Sequence, residues 1–264
     1  MHRQLLDVVI LACMFSLSGV VTGADGGDAT KPPQPAHDHR GEKRIVLENG
    51  YGAIITLWKP DLSTQQLTLD HDAVTIPMTG IDNYHAIVAE KDWGDHKEAV
   101  IRYEYRFGRP SKQSPSRLAA KQKTEFEIVP DPIPREHYRY HSLETWDYLV
   151  RFNGKPVNDL EVILNTDNGS QLSSTTDSNG RVSFQIPDDF PGMIEGERDK
   201  RLGQFTVSSE YLEGDRRYTT RLNADYRVNP AHWQSTRLGL LVVGIGFIAG
   251  GFLGRVNRSG GKVQ

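Results

Sequence analysis

Residues 100–107 read VIRYEYRF: Ile101, Tyr103, Tyr105 and Phe107 share one face of an extended chain, and Arg102, Glu104 and Arg106 share the other. Successive side chains of a strand point to opposite faces, so this two-residue period predicts a strand with one face in a core and one in water. Residues 218–228 repeat the arrangement, with Tyr218, Leu222, Ala224, Tyr226 and Val228 inward and Arg221, Asn223, Asp225 and Arg227 outward. Outward from these two stretches, short segments bounded by turn residues predict strands near 44–47, 53–58, 66–77, 84–89, 99–107 and 124–129. A second set follows near 144–153, 160–166, 181–186, 204–211 and 216–228. No window before the C-terminal apolar run sustains a helical period, so the expected fold class is all-β.

Pro130, Pro132 and Pro134 lie in a stretch short of apolar residues. They remove backbone donors and favour an extended path, which predicts an interdomain linker over 130–142. The expected organisation is two consecutive β-sandwich domains, 44–129 and 143–229, followed by a single C-terminal transmembrane helix. Residues 25–43 are Gly, Pro and charge with almost no apolar content, and are expected to be a disordered spacer.

Leu238 to Gly254 is an uncharged run of 17 residues, and about 17 is the lower limit for a helix that crosses a bilayer. A transmembrane helix over 237–254 is expected, with Trp233 as an interfacial anchor and a short tail, 255–264, carrying Arg255, Arg258 and Lys262. Gly246, Gly250 and Gly254 are spaced four apart, which would align them on one helix face for close approach of a second helix. A membrane-protein partner or a second copy of the chain would fit there. At the other end, Leu5 to Val21 follows Arg3 and precedes Thr22-Gly23-Ala24, which reads as a cleaved secretory signal over 1–24; an uncleaved N-terminal anchor is the alternative. With the signal removed, the body would stand outside the cytoplasm.

The net charge of -3 gives no basic field, which argues against nucleic acid as a partner. Cys13 is the only cysteine and would leave with the signal, so the mature chain would have no disulfide and no thiol nucleophile. Gly-x-Ser-x-Gly, His-Glu-x-x-His, the P-loop and the dinucleotide fingerprint are all absent from the sequence, so the chain is not expected to be an enzyme.

In the C-terminal half, Trp146 to Phe152 runs into Asn153-Gly154-Lys155-Pro156, then Val162-Ile163-Leu164, then Thr176-Asp177-Ser178-Asn179-Gly180 before Val182, Phe184 and Ile186. This resembles the transthyretin-like or carboxypeptidase-regulatory-like β-sandwich. Asp177 and Asn179 can bond their own turn backbone, and Gly180 can take a positive φ. With Phe126 to Pro130 upstream, the signal and the anchor, the whole resembles the DUF4198 group of periplasmic proteins, some of them accessory components of nickel or cobalt uptake. The resemblance implies a bacterial inner-membrane, single-pass location with the body in the periplasm. It also implies a membrane-anchored binding or accessory role in a membrane complex for transition-metal handling. The alternative is a ligand-free structural or assembly protein of the cell envelope.

Neutral imidazole is a common ligand for Ni, Co, Cu and Zn, so the histidines are the candidate metal residues. His37 and His39 flank Asp38 in the spacer and form either a small chelate or a solvated tract. His137 and His141 would lie about 13 Å apart in a strand, at roughly 3.3 Å per residue, and need a turn to meet. His85 is a further candidate, with His71 and His96 as possible neighbours; hydrogen-bonded structural roles are the alternative for each.

Overall fold

The computed structural model describes residues 17–19, 42–47, 50–71, 73–135 and 139–234. The first strands are β1 (Leu17–Gly19), β2 (Lys43–Leu47), β3 (Ile54–Trp58), β4 (Thr64–Leu67), β5 (Leu69–Asp70) and β6 (Ala73–Ile76). Two long strands follow, β7 (Ile81–Asp92) and β8 (His96–Arg106), then β9 (Arg109–Pro110) and a short helix α1 (Pro115–Ala120). Beyond α1 come β10 (Phe126–Pro130), β11 (Tyr140–His141), β12 (Thr145–Phe152), β13 (Lys155–Pro156), β14 (Glu161–Thr166), β15 (Gln171–Thr175) and β16 (Arg181–Gln185). The long hairpin β17 (Leu202–Glu213) and β18 (Arg216–Arg227) leads into a 3-10 turn, Pro230–Trp233. Leu17–Gly19, within the expected signal, pairs antiparallel with β2. The chain is all-β.

One ten-stranded sheet runs through the molecule, with the main order β15-β14-β17-β18-β8-β7-β3-β4 and β11 and β9 attached to its flanks. It contains strands from both sides of 130–142, joined where β18 pairs in parallel with β8 from Arg217↔His96 to Asn223↔Arg102. Both ends of the order are polar strands, Gln171–Thr175 and Thr64–Leu67.

Two smaller sheets cover this sheet and make two cores. Strands β2 and β6 bring Ile45, Leu47, Val74 and Ile76 against Leu57, Ile87 and Val100. Strands β10, β12 and β16 bring Phe126, Ile128, Tyr148, Val150 and Phe184 against Phe205, Val207, Leu222, Tyr226 and Ile101.

The outward polar face expected for 100–107 is not in water: Arg102, Glu104 and Arg106 are all buried. Asn223, also expected outward, is buried as well. The physical reason is that β8 is covered on both faces and Arg102 and Glu104 meet charged partners, Asp225 and Lys43. The single strand expected over 66–77 is divided into β4, β5 and β6, with His71 at φ 55° between the last two.

The expected turn at 177–180 forms with Asp177 and Gly180 as read, Asp177 Oδ1 accepting from the Asn179 and Arg181 amides at 2.8 Å each and Gly180 at φ 71°. Helix α1 starts at the Ser114 cap with Pro115 behind it. Its C-terminal carbonyls are taken by two buried cations. Arg151 donates to the carbonyls of Ala119, Ala120 and Lys121, and Lys123 to those of Leu118 and Lys121. Glu127 pairs with both cations.

Where the chain leaves β18, Asn229 caps the 3-10 turn and its Nδ2 donates to the Ser142 carbonyl at 2.6 Å. Asp188 accepts from Ser142 Oγ at 2.6 Å and pairs with His232 Nε2 at 2.7 Å. The chain is therefore held just before Gln234.

Candidate functional site

Strands β8 and β18 part company after the Asn223↔Arg102 pair. β8 continues beside β7 to the Asn83↔Arg106 pair, while β18 takes β11 as its neighbour at Tyr140↔Tyr226. The sheet forks, and the fork holds a cavity of about 170 Å³. Its walls come from the ends of β7 and β8, from β18, and from Pro130, Pro134, Arg139 and Tyr140.

The fork is charged at its base. Arg102, 2% exposed, donates from Nε to Glu104 Oε1 at 2.5 Å and from Nη2 to Asp225 Oδ2 at 2.6 Å. Lys43 from the covering sheet reaches Glu104 Oε1 at 2.8 Å. Burial pushes the Glu104 carboxyl up, but the Lys43 and Arg102 charges outweigh it and hold the group at about 2. Glu104 is therefore an anion at any ordinary pH. Arg139 and Arg227 also line the cavity. Burial lowers the Arg227 pKa, the Arg139 charge lowers it further, and Asp225 opposes both. Four cationic side chains, Lys43, Arg102, Arg139 and Arg227, and two carboxylates, Glu104 and Asp225, line the cavity.

Three donors in these walls have no protein partner among the described residues: Arg102 Nη1, Arg227 Nε and the Tyr103 hydroxyl are buried without a hydrogen bond. Buried donors normally find partners, and leaving one unmet costs about 1–3 kcal/mol, more for a charged group. The remaining walls are aromatic. Tyr84 and Tyr105 meet edge to face at 5.2 Å between centroids, Tyr105 and Phe107 at 5.4 Å, and the Tyr105 hydroxyl donates to Asp82 at 2.8 Å.

The sequence-selected histidines lie elsewhere in the fold or outside the described residues. His85, in β7, is fully buried with Nδ1 3.1 Å from the Asn83 carbonyl and Nε2 2.9 Å from Thr79 Oγ1. A carbonyl only accepts, so Nδ1 carries the proton and the Nε2 lone pair accepts from Thr79. Burial lowers the pKa of this imidazole to about 4. His141 has Nδ1 3.3 Å from Glu144 Oε1. His71 pairs with Asp70, and His96 stacks on Trp93 and bonds Thr219, so these two and His85 each have separate partners. Among the described residues no group of three or more His, Cys, Asp or Glu could hold a metal ion. His37, His39, His137, Gly246, Gly250 and Gly254 lie outside the described residues, as does 237–254; among the described residues no helix is long and apolar enough to cross a membrane.

Sequence reasoning passed over the fork. Its signal was an Arg-Tyr neighbour pair that recurs three times, at Arg102-Tyr103, Arg139-Tyr140 and Tyr226-Arg227.

No family model matches the chain, and no curated protein matches it. Among solved structures it is similar, at 14% identity and a TM-score of 0.28, to a Ca2+-stabilized adhesin with which an Antarctic bacterium reaches out and binds ice. That match covers 74% of this chain and 45% of the adhesin chain. It is also similar to a two-domain fibronectin type III segment from chicken tenascin, at 10% identity and a TM-score of 0.22, over 71% of this chain and 93% of that one.

Proposed function

We propose that this chain is an exported binding module: two β-sandwich cores on a shared sheet, held to a membrane through residues 237–254, that present the fork cavity to a ligand. In this reading it serves a membrane complex as an accessory subunit and catalyses no reaction. The observation that carries it is the pair of buried guanidinium donors, Arg102 Nη1 and Arg227 Nε, left without protein partners in the wall of one cavity. A ligand supplies the acceptors that the protein withholds.

The test is a thermal-shift screen of the full chain in detergent against a panel of small molecules, neutral and charged. Stabilisation by a panel member that is lost in Ala224→Trp, which fills the cavity wall, supports the reading. A panel that leaves both proteins unmoved removes it. The tether is tested separately: deleting 237–264 should release the chain from the membrane fraction, and retention of the shortened chain would count against it.

A further inference from the structure

We infer that the exposed Ile194 loop is a membrane-docking element, which dips into the bilayer interface beside the C-terminal tether and fixes how the body stands on the lipid; this rests on the tether proposed above. Three observations converge on it.

The first is where the described chain ends. Gln234 is followed by three residues, 235–237, and then by the uncharged run that starts at Leu238. A fully extended chain spans at most about 3.6 Å per residue, so Gln234 stands within roughly 14 Å of that run. The headgroup layer takes up about 6 Å of this distance. The end of the body that holds Gln234 therefore meets the lipid.

The second is what the body places at that end. The turn at 194–197, closed by the Glu197 amide donating to the Ile194 carbonyl at 3.2 Å, is bound to the exit of the chain. The Gly196 amide donates to the His232 carbonyl at 2.8 Å, and the Arg198 guanidinium lies 4.9 Å from the centre of the Trp233 ring. Met193 packs against the larger core, while Ile194 beside it is 60% exposed. Leu143, 45% exposed, follows Ser142, whose carbonyl is clamped by Asn229. Leu202, 46% exposed, pairs with Arg227, the last residue of β18. Single apolar side chains on a surface are ordinary, but these three stand on the elements that hold the exit of the chain. Leu202 also lines the fork, which puts that cavity at the membrane side of the body.

The third is charge. Residues 193–202 carry Glu195, Glu197 and Asp199 against Arg198, Lys200 and Arg201, and Arg201 is paired with Asp199 at 2.6 Å. The loop has no net charge that would require an anionic surface. Its contact with lipid is apolar, with Ile194 at the boundary of headgroups and acyl chains, as the apolar face of an interfacial segment lies.

The experiment uses the full chain with Cys13→Ser, so that an introduced cysteine is the only one, in phosphatidylcholine vesicles. The environment-sensitive dye NBD is attached at Ile194→Cys or, as a matched control, at Leu212→Cys. Leu212 is 66% exposed but lies opposite Arg217, at the other end of β18, and the strand from Arg217 to Arg227 is about 33 Å long at roughly 3.3 Å per residue. Lipid carrying a nitroxide just below the headgroup should quench at least half of the emission at 194, in low and high salt alike, and leave the emission at 212 unchanged. With the dye moved to Leu202→Cys, Ile194→Asp should halve the quenching. Equal quenching at 194 and 212 overturns the inference, as does quenching at 202 that Ile194→Asp leaves unchanged. A dye at 194 that is shielded from aqueous iodide but not quenched by the lipid shows a protein partner over the loop and overturns it too. A chain that floats with the vesicles while its 194 dye stays unquenched removes this inference and leaves the tether, whereas a chain that does not float removes both.

Discussion

Val100 and Ile101 are neighbours in sequence, both fully buried, and belong to different hydrophobic cores: Val100 packs with Ile45, Leu57 and Ile87, and Ile101 with Phe126, Val150 and Leu222. Strand β8 is a shared wall between the two cores. Ile101→Ala should cost about 2–5 kcal/mol, as for other buried large-to-Ala changes, and Val100→Ala about 2 kcal/mol at roughly 0.8 kcal/mol per methylene plus a cavity. Because one strand serves both cores, each variant should shift one common urea transition. Two separated transitions, one per variant, would contradict a shared wall.

His85 links stability to pH. Its pKa is lowered by burial from an ordinary 6.5 to about 4, so between those values the unfolded chain holds a proton that the folded chain refuses. Stability from this residue is complete above about pH 6.5, falls as pH drops toward 4, and is lost below that. The loss is about 3 kcal/mol at 1.36 kcal/mol per unit. Urea midpoints across pH 4 to 7 should fall toward acid in the native chain and fall less in His85→Gln. Equal slopes would show that the ring does not titrate as described.

Arg151 joins three features: it pairs with Glu127, which is fully buried, and donates to three carbonyls at the end of α1. Lys123, the second cation, has its pKa pushed down to about 8 by burial, against the pull of Glu127. Arg151→Met should cost about 1–3 kcal/mol for each buried acceptor it leaves unmet among Glu127 and the three α1 carbonyls, Lys123 still pairing with Glu127. Amides of residues 118–121 should lose hydrogen-exchange protection along with the global loss. Full protection in that turn would refute the capping role.

Gly180 has φ 71°, and a Cβ there would stand 2.6 Å from the Val150 carbonyl oxygen. Left-handed backbone costs an L residue about 1–2 kcal/mol, and this contact forces movement of strand β12 besides. Gly180→Ala should lower the urea midpoint by more than that strain alone, whereas Gly214→Ala, at φ 62° with open space around it, should cost only the strain. Equal costs would show that the Val150 contact yields freely.

The strands were legible because apolar spacing is local. Residues 100–107 and 218–228 form strands where the alternation places them, and Asp177 and Gly180 act in their turn as read. Alternation shows that two faces differ, and it does not show that the polar face is wet. The partners that allow Arg102 and Glu104 to be buried are Asp225, 123 residues from Arg102, and Lys43, 61 residues from Glu104, and no local pattern joins them. Strand β15 escaped because Gln-Leu-Ser-Ser-Thr has one apolar residue to periodise. Helix α1 escaped although Ser114-Pro115 marks its start, because only Leu118 in it is buried. In the site, attention to histidine as a metal ligand drew the eye to His85, which the fold uses to bond Thr79 and Asn83. The fork needed knowledge of where two strands diverge.

Strand β18 also determines how the molecule would bear a load. A pull on the chain beyond Gln234 is divided at the Asn229–Ser142 clamp and then runs along a strand paired with β17 over 12 positions and with β8 over 7. Those hydrogen bonds lie across the strand and are strained together in shear, rather than opened one after another as in an edge peeled from its end. A body pulled at Gln234 through a central strand resists with its whole sheet, and a stretch applied there would reach both cores at once.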